Sequence, residues 1–523
     1  MQTITNYCSN IRWQIHCAKM DNYIYNNLDI RMLDISSHKN INQKVLEQDR
    51  YKSLKILKCG NETGTIYLDR LTSIHDTLEI LHCDGQDCCV DQQGISKLKF
   101  LKELYCQNND KINCVNHLAK TLQVLNCANH DDNGMDQNGI SELENLKILN
   151  CSCNRLITKL GHLSNTLEEL DCSGSLKISS GINQNELSQL KHIRILKCKR
   201  NRTISDVNHL FDTLEKLDCD RTYISSSGIS KLEKLKILRC KYSTIKNVNM
   251  IGDTLEELYC SNGIDQNGIS KLNKLKILDC KKSNNIYDVN HLSETLEELV
   301  CSENFSQEGI FYLKKLKSIK YIDNGRINNL DHLANTLEVL ECSPETIELC
   351  DYLIKHNKLN QKTISKLCKL KKLIVPNNSS IYSVNHLADT LEELNCRGQS
   401  SINQKGIQSL KKLKYLNCHE NKNIENLNHL SNTLEILDCS GCRISQYGLH
   451  KLKKLKMLDC SKNELVPDLK YIIQNNRLIQ NVAYNNCEKM DLHYIHKIKY
   501  PKKTSIYLLK SFSGPLFSNI HLA

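Results

Sequence analysis

Apolar residues return along this chain in one short phrase, L-x-x-L-x-C. Leu255-Leu258-Cys260 is followed by Leu275-Leu278-Cys280, and the same frame starts at 19 places between Leu54 and Leu455, most of them 20–24 residues apart. Weaker copies stand at Ile30-Leu33-Ile35 and Ile479-Val482-Tyr484. Side chains alternate across a strand, so this spacing predicts one short strand per copy with its Leu and Cys turned inward. The remaining residues of each copy, such as "GISKLNKL" (268–275) or "VNHLSETL" (289–296), suffice for a short helical or 3-10 turn that brings the chain back to the next strand. Crossovers between parallel strands are right-handed, so stacked copies predict a solenoid with a parallel sheet along one side.

Polar positions inside the frame carry a second pattern. The residue after the first Leu runs Lys55, Glu79, Lys102, Gln123, Lys147, Glu168, Arg194, Glu215, Lys236, Glu256, Lys276, Glu297, Lys317, Glu338, Lys371, Glu392, Lys414, Glu435, Lys456. Neighbouring strands lie about 4.8 Å apart. A column of one sign would set like charges side by side, whereas alternation places each base between acidic or amide groups, at roughly 0.2–1 kcal/mol per pair. All nine acidic or amide copies also carry Thr before the first Leu, so the duplicated unit is a pair of repeats. Parity survives the one long step, the 33 residues from Leu337 to Leu370. No repeat is lost there, and the excess within 343–358 is expected to bulge from a single turn.

The stretch "LKMLDCSKNEL" (455–465), with Cys460 in the third apolar slot and Asn463 after it, resembles the leucine-rich repeat frame L-x-x-L-x-L-x-x-N-x-L, as does "LKILNCSCNRL" (146–156). This resemblance implies an α/β solenoid of horseshoe form, with a parallel β-sheet on the concave side and short helical or 3-10 turns on the convex side. It covers residues 28–485, with 1–27 as an N-terminal cap and 486–523 as a C-terminal cap or tail. The Lys-, Asn- and Ile-rich composition is similar to that of uncharacterised repeat proteins of giant amoeba viruses.

Three further columns bear on chemistry. Seventeen of the 27 cysteines fill the third inward slot, with Tyr321 and Val375 in its two exceptions. A small soft side chain suits a narrow interior, and adjacent parallel positions meet the disulfide torsion poorly, so reduced buried thiols are expected. They lie in one line, whereas zinc needs converging ligands. Histidine recurs at 117, 162, 209, 291, 332, 386 and 429 in one slot of the return arm, with Met250 in a further copy. A catalytic histidine would occur once, so this column reads as a turn device bonded to backbone. Asparagine follows the strand at Asn109, Asn154, Asn201, Asn304, Asn324, Asn378, Asn421 and Asn463, where it is expected to satisfy turn backbone.

Composition narrows the function classes. Apolar residues make up 40% and charged residues 25%, which is not a disordered composition. Neither a membrane-spanning run nor a secretory leader stands out, and a cytoplasmic protein (host-cell cytoplasm if viral) is the expectation. No phosphate loop, nucleophile elbow or metalloprotease motif occurs, so neither an enzyme nor a cofactor is expected. Repeat solenoids present their solvent-facing strand positions to partners. Here Glu169, Asp171, Asp218, Glu257, Asp279 and Glu298, with Arg239 and Tyr259, are the candidate partner-binding residues. Their acidic lean points to an unknown, basic protein partner. The expected function is therefore a protein-interaction scaffold. The substrate-recognition subunit of a ubiquitin ligase, or another host-directed effector, is an alternative. Nucleic-acid binding through the basic rim and the tail is disfavoured by an aromatic content of 5%, although residues 461–523 hold nine Lys/Arg against four Asp/Glu.

Overall fold

The structure, a computed structural model, describes residues 30–36, 43–60, 67–130, 133–321, 326–342 and 359–463, and after these 465, 466, 472, 476, 478, 479, 481–483 and 507–509. The expected N-terminal cap and the bulge at 343–358 lie outside the described residues, as does Asn324. The chain forms two compact units, Met1–Tyr259 and Cys260–Ala523.

In the first unit ten strands, from Met32–Asp34 to Ile237–Arg239, form a parallel sheet in chain order. Ile237–Arg239 pairs onward with Glu257, Leu258 and Tyr259. The frame sets the register: Leu33 faces Leu57, Leu57 faces Leu81, and Leu217 faces Leu238. In the second unit the parallel strands run from Ile277–Lys282 to Met457–Asp459 and continue through Asn481–Ala483 to Tyr507–Leu509. Both weak copies are therefore real strands, with Leu33 and Val482 fully buried. Val339–Cys342 pairs directly with Lys372–Ile374, so the long step between them adds no strand. This is the leucine-rich repeat fold.

The inward columns behave as their chemistry requires. All 17 strand cysteines are buried, and Tyr321 and Val375 occupy the same interior. Burial pushes the thiols of Cys127, Cys172 and Cys396 up to about 12. Asn109, Asn154, Asn201 and Asn421 are buried, and each donates its amide to two carbonyls of the preceding repeat. Asn304 departs from this expectation. It is half-buried and donates to the Asn284 carbonyl, while Phe305 takes the interior. Thr222, Ser243 and Ser283 stand in for asparagine by donating to a strand-end or arm carbonyl.

Return arms are single turns. Four-residue helices such as Gln137–Ile140 and Gln404–Ile407 alternate with 3-10 turns toward both ends of the array, while the arms from Asn208–Leu210 to Asp331–Leu333 are all 3-10 turns. The helical arms are capped by Asp136 and Asn403, whose side chains accept from the nitrogens of Gly139 and Gly406. Those glycines are obligatory for another reason: a Cβ on Gly406 would stand 2.1 Å from the Tyr382 carbonyl oxygen of the preceding arm. Thr363 fills the same slot after the long step, and there its hydroxyl donates to the Asn328 oxygen at 2.7 Å.

The charge ladder forms ion pairs at many of its steps, although Lys147, between Gln123 and Glu168, makes none among the described residues. Glu79 pairs with both Lys55 and Lys102, and Glu215 with both Arg194 (2.9 Å) and Lys236 (3.5 Å). In the second unit Lys317–Glu297, Lys371–Glu338, Lys414–Glu392 and Lys456–Glu435 repeat the pairing at 2.5–2.9 Å. The Lys371–Glu338 pair spans the long step, as conserved parity demands.

Candidate functional site

The histidine column is consumed by the fold. Each of the seven places its Nε2 2.9–3.1 Å from a carbonyl oxygen, from Ile95 for His117 to Ile407 for His429. A carbonyl only accepts, so Nε2 carries the proton. Burial holds six of these rings below the usual histidine range, which favours the neutral form. A glutamine column does similar work. The Gln184 oxygen accepts from the nitrogens of Ser205 and Asp206, and the Gln361 oxygen from those of Tyr382 and Ser383. Their amide nitrogens donate to the Asp206 and Ser383 carbonyls. Sequence reasoning missed this column, although Gln recurs two residues before the arm glycine.

With these groups spent, chemistry that differs from repeat to repeat sits on the solvent-facing strand positions. In the first unit Asp171 faces Lys197 across the ladder, Lys197 faces Asp218, and Asp218 faces Arg239. The Lys197 ammonium is 3.9 Å from Asp171. Asp218 accepts from the Asp220 nitrogen, and Asp220 accepts from the Lys241 nitrogen at 2.6 Å. Burial, and then the neighbouring Asp218, push the Asp220 carboxyl above its usual range. The Arg239 guanidinium lies 3.7 Å from the centre of the Tyr259 ring, whose hydroxyl donates to Glu257. Earlier in the same sheet His82 stacks on Tyr105 at 4.2 Å. The structure therefore brings Glu169, Asp171, Asp218, Arg239, Glu257 and Tyr259 onto one face of one sheet.

Asp279 and Glu298 lie in the second unit. Asp279 accepts from the Lys281 nitrogen, and Glu298 is exposed on the adjoining strand. Further along that sheet Lys320 pairs with Glu341 and Lys372 with Glu393. Ser440 donates its hydroxyl proton to Asp438 at 2.6 Å, so His419, with Nδ1 2.5 Å from the same oxygen, must be the donor in that contact. The result is a hydrogen-bonded chain that pins the serine proton on a carboxylate. Neither this chain nor the glutamines were singled out from sequence, because both depend on which residues stand opposite each other in neighbouring repeats.

No protein-family model matches the chain, and no curated protein matches it. Among solved structures it is similar to the functional domain of InlJ from Listeria monocytogenes, described as including a cysteine ladder, at 21% identity over 76% of each chain with a TM-score of 0.39. It is also similar to TLR13 in its complex with ssRNA13, at 20% identity over 84% of this chain and 65% of that one, TM-score 0.45. A leucine-rich repeat protein of Leptospira interrogans matches at 20% identity over 84% of this chain and 95% of its own, TM-score 0.35. No helix among the described residues is long and apolar enough to cross a membrane.

Proposed function

We propose that the chain is a non-enzymatic protein-interaction scaffold whose partners lie on the strand faces of its repeats. One observation carries this reading. Thiols, imidazoles and amides, the groups that would do chemistry, are committed in columns to the repeats' own packing. The exposed strand positions, by contrast, change from acidic to basic to aromatic between neighbours. A surface that varies along a constant frame suits recognition, whereas catalysis needs one unique cluster. Acidic stations at Glu169 and Asp171, and separately at Asp279 and Glu298, fit a basic segment of a partner protein. Buried thiols in such number fit a reducing compartment, and we place the protein in the cytoplasm.

The test is capture from lysate with the full chain as bait, with and without nuclease, followed by the same capture with Asp171→Lys and Asp279→Lys. Nuclease-resistant capture that both reversals weaken supports the reading. Capture that is unchanged by the reversals removes the strand face from it, and capture abolished by nuclease replaces the protein partner with a nucleic acid.

A further inference from the structure

Three neighbouring strands of the first unit, with the turns that follow them, differ in charge from everything around them. Residues 195–202, 216–223 and 237–243 hold eight basic side chains, Lys197, Lys199, Arg200, Arg202, Lys216, Arg221, Arg239 and Lys241, against two acidic ones, Asp218 and Asp220. The balance is 8 − 2 = +6. Both acids are already engaged, Asp218 flanked in register by Lys197 and Arg239, and Asp220 on the Lys241 nitrogen. Lys197, Lys199, Arg202, Lys216, Arg221 and Arg239 are exposed. Among the described residues Lys199, Arg202 and Arg221 make no ion pair with a carboxylate.

The turns add an independent observation. The second residue after the strand cysteine adopts a left-handed backbone in many repeats, and Gly85 or Asn108 meets that demand in the ordinary way. In the three basic repeats the slot holds Arg200, Arg221 and Tyr242, at φ of 60°, 60° and 59°. These are large side chains that a left-handed backbone disfavours. Arg221 then lays its guanidinium 4.3 Å from the centre of the Tyr242 ring. Cys153, Glu420 and Lys462 hold the same conformation in other repeats, so the turn belongs to the frame; the basic repeats differ in placing cationic and aromatic groups there in three successive copies.

We infer that this patch is a docking surface for an acidic, extended segment of a partner protein. The inference rests on the scaffold reading above and names one partner class for part of that face. Three strands span about 10 Å between the outer two, which three or four residues of extended chain cover. An extended peptide turns alternate side chains to the surface, so it sets carboxylates against the cations and turns the side chain over Asp218 away from that acid. A nucleic acid carries charge on every nucleotide and has to place phosphate against Asp218 and Asp220. Tyr242 in the patch and Tyr259 on the next strand each hold a guanidinium on one face, which leaves Tyr223 as the patch's remaining exposed ring. Charge complementarity therefore favours the acidic peptide.

The probe is a fluorescein-labelled hexaglutamate peptide titrated into the full chain at low salt and read by anisotropy, with hexalysine and hexathymidylate as comparators. Saturable binding of hexaglutamate, tighter than that of both comparators, is expected. Lys199→Glu with Arg202→Glu and Arg221→Glu is expected to weaken it about tenfold or more, three exposed contacts each turning repulsive. Lys451→Glu with Lys453→Glu and Lys454→Glu makes the same change of net charge elsewhere and is expected to leave affinity within about twofold. Thermal melting of both variants shows that each remains folded. Equal weakening by the two triple variants, tighter binding of hexathymidylate, or no saturable binding of hexaglutamate overturns the inference. Each of these results leaves the nuclease-resistant capture described above standing, so failure here is distinguishable from failure of the scaffold reading.

Discussion

Replacing Asn421 by alanine is expected to cost the second unit about 3 kcal/mol. The side chain is fully buried and makes three hydrogen bonds to backbone: its amide donates to the Cys396 oxygen at 3.2 Å and the Ile402 oxygen at 3.0 Å, and its oxygen accepts from the Asn423 nitrogen at 2.9 Å, with a longer amide contact to the Cys396 sulfur at 3.7 Å. Each bond contributes about 1 kcal/mol net, and leaving buried partners unsatisfied raises the loss toward about 5 kcal/mol. Asn304→Ala is the internal control, since that half-buried side chain makes a single exposed bond, to Asn284, and its loss should cost under about 1 kcal/mol. Native-state hydrogen exchange reads such losses locally, which matters in a repeat array where unfolding need not be all-or-none. Amides of Glu393–Asn395 and Tyr415–Asn417 should lose about a hundredfold in protection in Asn421→Ala, at about 1.4 kcal/mol per tenfold. Glu298–Cys301 should change by less than about fivefold in Asn304→Ala. Equal losses in the two variants would refute the claim that the asparagine column holds the turns together from inside.

Other consequences are open to direct measurement. Because burial holds six column imidazoles below their usual pKa, the unfolded chain takes up those protons first. Their contribution is complete above about pH 6.5 and is lost as pH falls below it. Asp220 and Asp459, with raised carboxyls, act in the opposite sense nearer the carboxylate range. The melting midpoint should therefore drop from pH 7.5 to 5.5, and His386→Gln with His429→Gln, which keeps an amide donor that does not titrate, should shrink that drop; an unchanged drop contradicts the assignment. Glu215→Lys puts a third cation between Arg194 and Lys236 and should destabilise the first unit by roughly 1 kcal/mol, less in 0.5 M salt, since all three side chains are partly exposed. A loss that is indifferent to salt would mean that packing, not charge, is involved. Alkylation of the native chain should mark exposed Cys368 quickly and the 17 strand thiols only on unfolding; fast labelling of Cys127 or Cys172 would show that the interior is open.

What was legible from residues alone was whatever repeats with a fixed side-chain phase. The Leu and Cys positions fix strand, register and interior together, and the Lys/Glu alternation foretold ion pairs even across the step at 343–358. The histidines declared themselves structural by their number. What escaped depends on the distance between neighbouring main chains. The glycine slot exists because arms abut, the left-handed slot because the strand must turn sharply, and neither distance is written in one repeat. Tyr507–Leu509 escaped because its frame lacks the cysteine and the flanking arm phrase. The solvent-facing strand positions read from sequence as a mixed face with an acidic lean, interrupted by Lys197, Lys216 and Arg239; the further bases Lys199, Arg202 and Arg221 stand in the turns, which become neighbours of those positions only once the strands are stacked.

The doubly paired glutamates have a consequence for how such a chain can change length. Recombination between misaligned copies inserts or deletes whole repeats, and the apolar interior tolerates any number of them. The charges do not: an odd slip leaves two lysines, or two glutamates, facing each other at the new junction, a fault with no partner to cancel it, whereas an even slip leaves no trace. Length variants of this array should therefore differ by even numbers of strands, with Glu79 and Glu215 marking the positions at which such a fault would be felt.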